Sequence, residues 1–68
     1  MAEENLWQTT TLPIERIEQI LGAQHVHFIR TDIDNPAGFC RARAAGWWDA
    51  NEAEYYAAYR SLARILEG

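Results

Sequence analysis

Lysine is absent from this 68-residue chain, cysteine occurs once, and proline and glycine together fill only six positions. A lone cysteine, Cys40, cannot close an intrachain disulfide, so a stapled secreted scaffold is excluded. No apolar run approaches the roughly 20 residues that a helix needs to cross a bilayer. The start, Met1-Ala2-Glu3-Glu4-Asn5, is acidic where a signal peptide would be basic, so the expected location is cytoplasmic. Positive charge is also scarce: six Arg face ten acids, for a formal net charge of −4. Non-specific binding to nucleic acid or to an anionic membrane calls for the opposite excess. The exclusive use of Arg, beside eleven Ala, fits codon bias in a GC-rich genome; planar bidentate contacts are the functional alternative. No Gly-rich phosphate loop, serine nucleophile motif or paired CxxC is present.

What is there is apolar but small. Hydrophobic residues make up 49% of the chain, and removing Ala leaves 22 larger ones to build a core. That is a thin margin against the ordering entropy of 68 residues, on the order of 100 kcal/mol. A chain of this length forms one domain, residues 1–68, with residues 1–5 frayed.

Leu6 to Thr11 is rich in β-branched and aromatic residues and reads as a short strand. Leu12 to Leu21 reads as a helix, with Thr11 as N-cap, Pro13 in the first turn, Gly22 as the stop, and Ile14, Ile17 and Leu21 on one face. Residues 25–34 and 39–48 flank Asn35-Pro36-Ala37-Gly38, whose types suit a three-residue hairpin loop. In the last segment Asp49 and Glu52 form a capping-box variant, and a helix runs to Glu67. Tyr55, Ala58, Tyr59, Leu62, Ile65 and Leu66 form its apolar stripe, with Ala50, Glu54, Ala57, Ser61 and Arg64 facing away. The expected fold is α+β: a small antiparallel β-hairpin sheet, three-stranded in β-α-β-β-α order if the first strand forms, with two helices on one face.

Two helices cannot cover both faces of a sheet, so one hairpin face stays open. With Asn35 opposite Phe39, Trp48 turns to the core with Cys40, Ala42 and Ala44. The open face then carries Trp47, Arg41, Arg43, His27, Ile29, Ile33 and Phe39, the mixture of aromatic, Arg and aliphatic groups found in binding hot spots. A four-residue loop shifts the register by one; Arg and aromatics still share an exposed face, though not all the same ones.

Other constellations carry less. His25-x-His27 with Cys40 does not converge to metal-ligand distances in either register, and no fourth ligand is evident, so no metal or cofactor is expected. The same separation removes Cys40 as a His-activated nucleophile. Asp32 and Asp34 shape a turn, and Tyr55 and Tyr59 belong to the core.

The leading expectation is therefore a small acidic, non-enzymatic regulatory protein, an inhibitor or adaptor, that binds a protein partner through the open hairpin face and can self-associate. An alternative, by analogy of size and charge, is a phage- or mobile-element-type inhibitor of nucleic-acid-targeting machinery, anti-CRISPR-like. Glu3, Glu4, Glu15 and Glu18 on one side, and Asp49, Glu52 and Glu54 on the other, would then mimic phosphates. A further alternative is nucleic-acid binding through Arg41, Arg43, His27 and Trp47, since residues 25–48 carry a local charge of +1. An enzyme would need a site shared between subunits.

Overall fold

Pro13 and Gly22 bracket the first helix, and each does so through its backbone. The structure, a computed structural model, describes residues 11–68. In it α1 spans Ile14–Leu21. Pro13 is the N-cap, and its carbonyl accepts from the amides of Arg16 and Ile17 at 3.0 and 3.1 Å. Thr11 is thus outside the cap position expected of it. Gly22 sits at φ +93°, a conformation that side chains disfavour, and it both ends α1 and begins α2.

Helix α2 covers Ala23–Asp32, where a strand was expected. Val26 and Ile29, three apart, are buried on one side of it, and Ile33 packs against the same core. Their β-branching disfavours helix by no more than about 0.7 kcal/mol each. Burial of each such side chain returns roughly 1.5–3 kcal/mol, so packing decides.

Asn35-Pro36-Ala37-Gly38 opens a third helix, α3, Pro36–Asp49, and forms no hairpin loop. Asn35 is the N-cap, its side-chain oxygen accepting from the Gly38 amide at 3.3 Å, and Pro36 takes the first helical position. Two central φ/ψ pairs near helical values define both a type I turn and a first helical turn, so the same four residues serve either. Cys40 and Ala44, at i and i+4, face the core.

The chain reverses at Ala50–Asn51. Asn51 lies at φ +62°; its amide donates to the Trp48 carbonyl and that of Glu52 to the Trp47 carbonyl, each at 3.0 Å. These two hydrogen bonds form a Schellman stop, with Asn in the position usually held by Gly. Asp49 consequently ends α3 and does not cap the next helix. The N-cap of α4, Ala53–Glu67, is Glu52, which makes no side-chain capping bond.

α4 is the central element. It packs most extensively along α3, antiparallel, and on its other flank against α1, which in turn meets α2. Contact on two sides explains why Ala57 and Ser61, expected to face away, are buried along with Ala58, Tyr59, Leu62 and Ala63. Ser61 Oγ accepts the Leu12 amide at 2.8 Å, which ties the entry to α1 onto α4. Tyr55 and Ile65, expected in the stripe, are exposed at 36% and 41%. An exposed Arg16–Glu54 pair at 3.2 Å adds a second α1–α4 link, of a kind worth less than about 1 kcal/mol.

The α+β expectation, with its hairpin and two covering helices, is thus replaced by four helices among the described residues, which contain no strand. The strand expected at Leu6 to Thr11 falls, up to residue 10, outside the described residues. None of the described helices is long and apolar enough to cross a membrane.

Candidate functional site

A helical repeat of 3.6 in place of a strand repeat of 2 redistributes the seven expected binding residues. Phe39, Arg43 and Trp47 stay together, at i, i+4 and i+8 on α3. The Arg43 guanidinium carbon lies 5.3 Å from the centre of the Phe39 ring, a cation–π contact. Trp47, half-buried, stacks on Tyr55 of α4 with ring centres 4.8 Å apart and planes 28° apart.

The other four disperse. Arg41, two residues from both Phe39 and Arg43, turns to the opposite flank of α3 and pairs with Glu67. Ile29 is fully buried in the core, which removes it from the surface, and Ile33 is half-buried at the core's edge. His27 is exposed on α2, in a recess beside Glu18 and Arg30. His25 lies two residues away, and its Nε2 hydrogen-bonds with the Tyr59 hydroxyl at 2.9 Å.

The two tryptophans exchange the places expected of them: Trp48 is 40% exposed and Trp47 is packed against the core cluster. Trp48 sits against Tyr56 at 5.0 Å between ring centres. Among the described residues the end of the α3–α4 pair therefore carries Trp47 with Tyr55 on one flank and Trp48 with Tyr56 on the other.

Below the Trp48–Tyr56 pair runs a groove of about 350 Å³. α3 contributes Arg41, Ala44 and Ala45 to it; α4 contributes Tyr56, Arg60, Ala63, Arg64 and Glu67. Antiparallel packing over small Ala side chains brings the helices close and leaves the long Arg side chains along the edges. Arg60 Nη1 is buried and has no hydrogen-bond partner among the described residues. A buried donor in that state costs about 1–3 kcal/mol, more when charged, until an acceptor is supplied. The spacing Tyr56, Arg60, Arg64 along one helix was the signal for this edge, masked by the favourable effect of the same Arg residues on the helix dipole.

Cys40 is fully buried, and burial pushes its thiol up from 9.0 to about 11. At neutral pH it is a packed thiol, not a thiolate nucleophile. Burial also raises the Tyr59 hydroxyl, an effect opposed by the positive charge of Arg43. Among the described residues no group of three or more His, Cys, Asp and Glu side chains is placed to hold a metal ion. Of the acids considered as phosphate mimics, Glu54 is engaged by Arg16, and Glu3 and Glu4 lie outside the described residues. No protein-family model, curated protein or solved structure matches the chain.

Proposed function

We propose that the protein is a non-enzymatic interaction module, an inhibitor or adaptor, that binds a protein partner through the α3–α4 face. The observation that carries this reading is the concentration of aromatic and Arg groups there, with Trp48 and Tyr55 exposed at 40% and 36%. A small core would gain from burying those rings, yet they remain at the surface of the same helix pair, Trp48 with Tyr56 on the flank of Arg41, Arg60 and Arg64, and Tyr55 with Trp47 on the flank of Arg43. Aromatic anchors with neighbouring Arg are the composition that dominates protein-binding energetics.

The test is affinity capture from the native lysate with the intact chain, against a Trp48→Ala/Tyr55→Ala variant of equal far-UV circular dichroism. A captured protein, bound in isolation by the wild type and at least tenfold more weakly by the variant, is the expected result. Retention of nucleic acid instead, with steep salt dependence and loss on Arg41→Ala/Arg43→Ala, overturns it.

A further inference from the structure

We propose that the groove between α3 and α4 receives a carboxylate of an acidic, apolar-flanked peptide segment, with Arg60 and Arg64 as the receiving groups. This rests on the reading of the protein as a protein-binding module and names what the partner brings to it.

Three features lead there. Among the described residues Arg41, Arg60 and Arg64 share the groove lining with one acid, Glu67, a local charge of +2 for those four side chains in a chain of net −4. Arg41 is already paired with Glu67, so one guanidinium–carboxylate contact stands at the rim. Arg60 keeps a buried nitrogen without an acceptor, and Arg64 has no ion pair among the described residues. The Arg60 and Arg64 guanidiniums that line the groove thus have no acceptor among the described residues, and a carboxylate matches the planar donor fork of Arg.

The floor decides between carriers of that negative charge. Ala44, Ala45 and Ala63 present methyl groups, which favour aliphatic neighbours on the incoming chain over sugar and phosphate. At about 350 Å³ the groove is at the small end of ligand sites and suits one or two side chains. A polyphosphate strand would meet two guanidiniums that lack an ion pair among the described residues and, beyond them, a predominantly acidic protein.

A titration of the ¹⁵N-labelled full chain, followed by NMR, tests this with three probes. They are acetyl-Leu-Glu-Leu-Asp-Leu-amide, its neutral counterpart acetyl-Leu-Gln-Leu-Asn-Leu-amide, and an oligothymidylate. The acidic peptide is expected to shift the Arg60 and Arg64 side-chain N–H resonances and the Ala45 and Ala63 amides. Its neutral counterpart binds at least tenfold more weakly. Arg60→Gln lowers the affinity at least tenfold. Arg64→Gln, at an exposed position where folding is not at stake, lowers it severalfold.

Equal binding of the two peptides overturns the proposal. So does unchanged affinity in both variants, absence of shifts at millimolar peptide, or tighter binding of oligothymidylate to the same resonances. The two tests separate. A captured partner lost on Trp48→Ala/Tyr55→Ala without any peptide response discards the groove chemistry alone. A peptide response without a captured protein sustains the groove chemistry and discards the wider reading.

Discussion

Raising the pH toward 11 sets the core against one sulfur atom. Cys40 is fully buried, and its thiol is pushed up to about 11 from an ordinary value of 9.0 because a thiolate there would lose its hydration. The folded state therefore holds the proton more tightly than the unfolded chain. The stability linked to that proton is fully present below pH 9 and is lost as the pH climbs through the folded value. Two pH units of difference correspond to about 3 kcal/mol in total, of which about 2 kcal/mol is gone by pH 11. Domains of this size have roughly 3–10 kcal/mol to lose, so the effect is a large fraction of the whole. Tyr59, raised in the same direction, adds to it.

Urea unfolding at intervals between pH 8 and 11, on the wild type and on Cys40→Ala, isolates the sulfur. At pH 8 the variant is less stable by on the order of 1 kcal/mol, the effect of a small cavity. By pH 11 the difference should have shrunk by about 2 kcal/mol and changed sign. A stability difference that stays constant across the range would refute the placement of Cys40 in a dry core.

Two more outcomes are expected in α3. Asn35→Ala removes the capping oxygen from the Gly38 amide and is expected to cost about 1 kcal/mol in chemical denaturation. Gly46→Ala places a methyl group in a helix interior where nothing lies within 4 Å, and is expected to stabilise by about 0.8–1 kcal/mol, read as a raised melting temperature.

These variants also mark how far the sequence could be read. α1 was legible because Pro13 and Gly22 are backbone devices whose effects need no tertiary partner. Most of α4 was legible because its apolar period is sustained over four turns. Its start was not: Asp49 and Glu52 have capping-box chemistry, but Asn51 at φ +62° ends α3 there and displaces the helix to Ala53. α2 and α3 were not legible. Asn35 and Pro36 announce a chain reversal or a helix start with equal chemistry, and the residues C-terminal to them decide. Residues 39–48 are Ala-rich, and their helical preference competes with two Trp and two Arg that suit either state. Reading them with period 2 separated Trp47 from Trp48 by 180°, where the helix separates them by about 100°.

The expected binding face underwent the same substitution of period. Phe39, Arg43 and Trp47 survive as neighbours because four residues make an even step on a strand and nearly a full turn on a helix. Arg41 does not, since two residues bring a strand back to the same face and carry a helix to the far side. The groove itself could not be seen in one segment, because its edges come from residues 41–45 and 56–67, joined only when α3 folds back on α4.

Composition alone determined that the chain closes no intrachain disulfide, carries a net charge of −4 and has few large apolar groups to bury. Only the tertiary structure decided that Val26, Ile29, Cys40 and Ala44 share a core with α4, and with it that segments of ambiguous local preference become helices. The physical reason is one of scale. Local propensities differ by tenths of a kcal/mol per residue, while each large side chain buried against α4 contributes roughly 1.5–3 kcal/mol.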